Sequence, residues 1–280
     1  MTTRALVLGG GGVTGVAWEI GLLAGLAARG VQLGQADLVI GTSAGSVVGA
    51  QLASGTSLDQ MYADQLAPAG PPPPGGTARL RPRHIARYAW AVLRHRDPVQ
   101  ARAQIGRLAT RARTMPEAER RAVIASRVPG DEWPARRLLI TAVDTGSGEF
   151  RAFGAGQGVG LIDAVAASCA VPGVWPPVTI GGRRWMDGGI RSPANADLAA
   201  GCDAVVVLAP VTQGLRGTSV PSQVAALRQR GRAVAVVWPD RAAKAAIGRN
   251  VLDPARRAPA ARAGHAQAGP ALDRVAAVWG

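Results

Sequence analysis

Aromatic side chains are scarce in this chain: seven Trp, two Tyr and two Phe make up 4% of 280 residues. The core must therefore be aliphatic, and an apolar content of 48% is enough to build one. Lysine is nearly missing, with Lys244 the single one among 32 basic residues, so the positive charge is almost entirely arginine. Histidine occurs only at His84, His95 and His265, and cysteine only at Cys169 and Cys202. Two cysteines this far apart follow no metal or redox spacing, which excludes a disulfide scaffold and fits buried thiols in a reducing compartment. No cluster of metal-ligand spacing is present, so no metal and no cofactor are expected. No uncharged run approaches the ~20 residues that a membrane-spanning helix needs. Met1-Thr-Thr-Arg-Ala-Leu-Val-Leu8 runs straight into a glycine loop and lacks a signal-peptide pattern. The expected location is cytoplasmic, with at most peripheral attachment to a membrane.

Acidic residues are the other shortage: 18 Asp and Glu leave a net charge of +14. An arginine-heavy composition produces this without a dedicated partner. The functional reading is attraction to an anionic surface, lipid or nucleic acid.

Glycine, by contrast, is abundant and placed. Gly41-Thr42-Ser43-Ala44-Gly45 follows the apolar run Asp37–Ile40 and precedes Ser46–Ala53, which reads as a helix. Strand, tight turn and helix around G-x-S-x-G form a nucleophile-elbow pattern, with glycines where a Cβ would collide with neighbouring backbone. Upstream, residues 4–9 read as a buried strand, Gly9 to Gly12 as a turn, and Val16 to Arg29 as a helix. Two readings of that turn compete. Gly10-x-Gly12-x-x-Gly15 matches the dinucleotide fingerprint, which needs an acid closing the second strand. Here that strand closes with Gly41-Thr42-Ser43 and its only acid, Asp37, stands at its start. The other reading is a backbone oxyanion hole for the serine one strand away.

Residues 57–66 suit a short helix with Ser57 as N-cap, and Pro68 to Gly76 reads as a linker or surface loop. Beyond it, Arg79 to Arg127 holds thirteen arginines against Asp97, Glu117 and Glu119. Ile85, Tyr88, Ala89, Val92 and Leu93 repeat at helical spacing, with Arg87 and Arg94 on another face. Residues 79–134 thus read as an inserted basic cap of two or three amphipathic helices. The plain role is packing with a solvated basic face; the sharper one adds docking on anionic lipid, with Tyr88 and Trp90 near the interface. Leu138 to Val143 and Glu149 to Phe153 read as a hairpin, 160–168 as a helix, and Arg183 to Met186 as a strand closing in Asp187-Gly188-Gly189. Ala204–Leu208 and Ala233–Val237 are two further buried strands. Residues 1–255 make one domain, and 256–280 read as a tail, surface helix or part disordered.

The polyglycine turn, the G-x-S-x-G and the downstream Asp-Gly-Gly resemble, in order and spacing, the patatin-like phospholipase family. The likeness extends through Ala167-Ser168-Cys-Ala-Val-Pro172 to Trp175 and Pro176, and to Asn195 onward. It implies a three-layer α/β/α hydrolase with a mostly parallel sheet and an inserted helical cap. It implies Ser43 as nucleophile, Asp187 as base and Gly10, Gly11 and Gly12 as oxyanion glycines, with Gly15, Gly41, Gly45, Gly188 and Gly189 as motif glycines. Members often carry arginine or lysine where this chain has Thr14. The partners implied are an acyl lipid or ester substrate and peripheral contact with an anionic membrane, with no nucleic acid.

The residues carry the chemistry on their own terms. A serine hydroxyl needs an adjacent base. His84 and His95 fall in the basic insert, on surface helices. His265 follows the Ser…Asp…His order but has no strand before it. Asp187 is left to act alone, its basicity raised by burial. Plain readings stand beside these: Ser43 as a helix cap, Asp187 and Asp144 as turn formers, Cys169 as a buried thiol, Asn195 as an N-cap. The rival functions are acyl transfer on the same dyad, and a lipid- or nucleic-acid-binding protein on a dead hydrolase scaffold.

Overall fold

The computed structural model describes residues 2–68, 78–80, 82–215 and 218–280. The linker reading of 68–76 lies, beyond Pro68, outside the described residues. Eight strands form one sheet: β1 (Arg4–Leu8), β2 (Leu38–Gly41), β3 (Arg137–Asp144), β4 (Phe150–Phe153), β5 (Val178–Ile180), β6 (Arg183–Asp187), β7 (Ala204–Leu208) and β8 (Ala233–Val237). Their order is β5-β6-β3-β2-β1-β7-β8, with β4 paired to β3. The β3-β2-β1-β7-β8 portion is parallel, and β4, β5 and β6 add antiparallel pairings. The aliphatic runs of β1 and β7 lack polar alternation because both faces of the sheet are covered. Successive side chains divide between them. Leu6, Leu8, Val206 and Leu208 join one core cluster, while Ala5, Val7, Val205 and Val207 join another.

The helices are α1 (Gly12–Ala27), α2 (Ala44–Ala53), α3 (Leu58–Leu66), α4 (Pro82–Arg94), α5 (Pro98–Thr110), α6 (Glu117–Ala125), α7 (Leu161–Ser168), α8 (Val220–Gln229), α9 (Arg241–Ile247) and α10 (Arg257–Trp279). The first cluster takes in α1, α2, α7 and α10; the second takes in α8 and the 3-10 turn Ala196–Ala199. Three layers result, with the parallel sheet in the middle. The insert contributes α4, α5 and α6, and a third cluster sets Tyr88, Ala91 and Ile105 against Val143, Met186 and Ile190.

Three readings of the sequence need correction. First, α1 begins at Gly12, not Val16, so the glycine turn supplies the first turn of the helix. Second, α4 does not bury the stripe that its periodicity suggested. His84, Tyr88 and Ala91 face inward, whereas Ile85, Trp90 and Leu93 are 54%, 50% and 82% exposed. Tyr88 is therefore not at an outer interface, and His84 is not on a surface. Third, 256–280 does not stand apart. α10 lies along α1, and its alanines and glycines are what permit the close approach: a Cβ at Gly21 would lie 2.0 Å from Ala261 O, and one at Gly264 2.2 Å from Trp18 O. Trp18 Nε1 donates to Gln267 Oε1 at 2.9 Å, Gln267 Nε2 donates to Trp238 O at 2.7 Å, and Arg4 Nη2 donates to Gly280 O at 3.1 Å.

Candidate active site

Two strand ends meet over β3. β2 pairs with β3 along Arg137–Ile140, and β6 pairs with it along Ala142–Asp144. The residues that follow β2 and those that end β6 therefore converge at Thr141. The Thr141 hydroxyl donates to Thr42 Oγ1 at 2.9 Å. A Cβ at Gly188 would lie 2.2 Å from Thr141 Oγ1, so only glycine fits beside it.

Ser43 sits between β2 and α2 with φ 52° and ψ −114°. That left-handed conformation is costly for a side-chain-bearing residue, on the order of 1–3 kcal/mol, and persists only where the surroundings enforce it. They do so from both sides. Ser43 N–H donates to Ser168 Oγ at 2.9 Å, and Ser43 C=O accepts from Ser46 Oγ at 2.6 Å and from Cys169 Sγ at 3.3 Å. Gly45 N–H donates to Gly9 O at 3.0 Å, which fastens the elbow to the glycine turn. Ser43 occupies the N-cap position of α2, yet its side chain makes no capping hydrogen bond. Ser43 lies near enough to Asp187 to help hold that carboxyl's pKa down.

Asp187 ends β6 and is 5% exposed. Its Oδ1 accepts from Gly189 N–H at 2.7 Å. Burial pushes its pKa from 3.8 up to about 6, while Ser43 and the hydrogen bond from Gly189 hold it down. A carboxylate tuned toward neutrality is a more effective base than a free one.

The glycine turn lies against the serine: a Cβ at Gly10 would sit 3.5 Å from Ser43 Cβ. Gly10 N–H, however, donates to Pro193 O at 2.8 Å. The N–H groups of Gly11 and Gly12 meet no backbone acceptor among the described residues. Gly15 N–H closes the first turn of α1 on Gly11 O at 2.9 Å. A Cβ at Gly41 would lie 2.6 Å from Ser46 Cα. Thr14 points elsewhere: fully buried, its hydroxyl and its N–H both donate to Val251 O, at 3.2 and 3.1 Å. It fastens the loop after α9 over the turn, where a cation would have to be buried.

Asn195 is not a side-chain N-cap. Its backbone is left-handed at φ 52°, and its Nδ2 donates to Thr42 Oγ1 at 3.1 Å, Ser192 O at 3.0 Å and Gly188 O at 3.4 Å. It thereby ties the approach to Ser43 to the loop after Asp187. Ser168 and Pro193 are further parts of the frame; Ser168 lay in the stretch that carried the family likeness. Other candidates fall away from the site. Asp144 closes a turn, accepting from Gly146 and Ser147 N–H at 2.8 and 2.7 Å and pairing with Arg183 at 2.8 Å. His265 stacks on Tyr62 at 5.1 Å, beside α1. Cys169 is the buried thiol expected, its pKa pushed up by burial. Among the described residues no group of His, Cys, Asp and Glu is arranged to hold a metal.

A family model described as patatin-like phospholipase matches residues 6–200. Among solved structures, VipD from Legionella pneumophila is similar at 14% identity with a TM-score of 0.50, over 98% of this chain and 67% of that one. The type III effector protein ExoU is similar at 17% identity with a TM-score of 0.44, over 98% of this chain and 53% of that one. No curated protein sequence matches significantly. The family match spans the glycine turn, the elbow and the Asp-Gly-Gly together, and the chain belongs to the patatin-like phospholipase family.

Proposed function

We propose that this protein is a serine lipid acyl hydrolase working through Ser43 and Asp187. The observation that carries the reading is a buried carboxylate with a raised pKa, close enough to Ser43 to be influenced by it, beside a serine held at φ 52°. Asp187 takes the hydroxyl proton as Ser43 Oγ attacks the ester carbonyl. The developing oxyanion falls to the open N–H groups of Gly11 and Gly12, donors of a kind worth about 3 kcal/mol each. Gly10 shapes the turn without donating, since Pro193 already accepts its N–H. Asp187 then protonates the departing alcohol, and water activated by the same carboxylate releases the fatty acid. A fluorophosphonate probe tests this directly. Mass spectrometry should find it on Ser43 at one equivalent per chain, and an unlabelled Ser43 in the folded protein contradicts the reading.

The substrate is met at a membrane surface. Ile85, Trp90 and Leu93 make an exposed apolar face on α4, flanked by Arg83, Arg87 and Arg94, and the Arg94 guanidinium lies 5.6 Å from the Trp90 ring centroid. Apolar residues beside arginines suit the boundary of an anionic bilayer. No helix among the described residues is long and apolar enough to cross one. Trp90→Asp with Leu93→Asp should cut hydrolysis of anionic vesicles by about a hundredfold or more, as expected for losing two apolar anchors that the bilayer would bury, and leave cleavage of a water-soluble ester unchanged. Equal loss on both substrates counts against surface docking.

A further inference from the structure

A cavity of about 280 Å³ opens between α4, the end of α5 and the turn at Pro172-Gly173. Arg83 and Arg87 of α4 line it, with Arg111 and Arg113 just past α5. No Asp or Glu lines it, and none of the four guanidinium groups takes part in an ion pair among the described residues. The first turn of α4 has no acidic residue. The positive end of the helix dipole therefore adds to the arginines instead of being offset. Like charges gathered around a concave space, on side chains that are themselves exposed, focus a field that favours an incoming anion.

The inner wall gives the cavity its place. Tyr88 is 9% exposed, and its hydroxyl donates to Pro172 O. Burial, and after it the negative charge of Asp187, push the Tyr88 phenol up. Pro172 lines the cavity two residues after Ala170, whose C=O accepts from Asp187 N–H at 3.1 Å, so the cavity lies on the Asp187 side of the proposed active site. A water occupies ~30 Å³ in the liquid, so the space admits a phosphate together with the first atoms of a stem. Guanidinium groups suit such a group because their paired N–H donors match phosphate oxygens in a fork.

We propose that Arg83, Arg87, Arg111 and Arg113 form a binding site for a phosphate monoester or free phosphate. The headgroup of the lipid being cleaved is one source, and that assignment rests on the hydrolase reading; the binding itself does not.

The test has two arms. In the first, inorganic phosphate and pyrophosphate are titrated into the intact protein at ionic strength fixed with chloride, and melting is followed. The wild type should gain stability saturably, as a ligand of the folded state confers. Arg87→Ala with Arg111→Ala should lose that gain. Arg87→Lys with Arg111→Lys, which keeps the charge, should keep part of it and serves should the alanine variant fail to fold. No gain in the wild type, or an equal gain in all three proteins, overturns the site. In the second arm, phosphatidic acid and diacylglycerol with the same acyl chains are presented in neutral detergent micelles. A preference of about tenfold for phosphatidic acid, a usual size for a lost charge-assisted contact, that disappears in the alanine variant identifies the headgroup as the source. Saturable phosphate binding without that preference identifies free phosphate. Failure of all hydrolysis with phosphate binding intact removes the hydrolase reading and leaves the site standing.

Discussion

Asp187→Asn should hydrolyse essentially nothing and yet melt higher than the wild type at pH 8. The loss follows because Asp187 is the proposed base, and removal of one member of such a unit typically costs about 10⁴-fold in rate. The gain in stability follows from burial. A carboxyl whose pKa rises from 3.8 to about 6 on folding binds its proton more tightly in the folded state. Below the unfolded value both states are protonated and nothing is lost. As pH climbs from there through about 6, the folded state must ionise a buried group, and stability falls by about 3 kcal/mol. Asparagine keeps the shape and the acceptor for Gly189 N–H but carries no charge. The difference in melting temperature should therefore be several degrees at pH 8, shrink below pH 6 and vanish below pH 4. Wild-type kcat/KM should rise with pH through about 6 as the base ionises. Scanning calorimetry and a soluble-ester assay across that range check both. A variant that melts lower than wild type at pH 8, or retains a tenth of the activity, contradicts the assignment of the base.

Gly45→Ala should be among the most damaging single-methyl substitutions in the fold. One methyl group at this position would lie 2.2 Å from Leu8 O and 2.6 Å from Leu8 Cβ. Leu8 belongs to β1, a central strand with neighbours on both sides, so it has no room to yield. Gly45 N–H is also shared between Gly9 O and Thr42 O, at 3.0 and 2.9 Å, and both bonds depend on that close approach. Overpacking against rigid backbone exceeds the ordinary 1–3 kcal/mol, and a fall of about 10 °C or more in melting temperature is expected. Gly10→Ala is the control. Its nearest neighbour would be Ser43 Cβ at 3.5 Å, ordinary contact distance. That variant should melt within a few degrees of wild type. If Gly45→Ala does the same, the elbow is not held against β1 as described.

The elbow and the Asp-Gly-Gly were legible because their geometry forces residue choice. A serine at positive φ between glycines that cannot carry a Cβ leaves few alternatives, and the runs of valine and leucine around it mark buried parallel strands. What was hidden depends on partners remote in the chain. That Gly10 N–H is occupied follows from Pro193, and that Asn195 braces Thr42 follows from where β3 places Thr141. Periodicity found α4 but not its orientation, because apolar residues cover most of its circumference and only the packing of His84, Tyr88 and Ala91 decides which arc faces in. The Ala- and Gly-rich final stretch looked featureless for the same reason that it packs so well: small side chains give no amphipathic signal, yet they let two helix backbones touch.

The pairing of α10 with α1 has a consequence for the order of assembly. The helix that fixes the glycine turn is covered by a segment more than two hundred residues downstream, and closing so long a loop carries a large entropic barrier. During synthesis Trp18 and Leu22 lack their partners on α10 until Arg257–Trp279 has emerged. Nascent chains short of that helix therefore present a greasy, unfinished surface, and reactivity of the serine should be acquired only after the last helix docks.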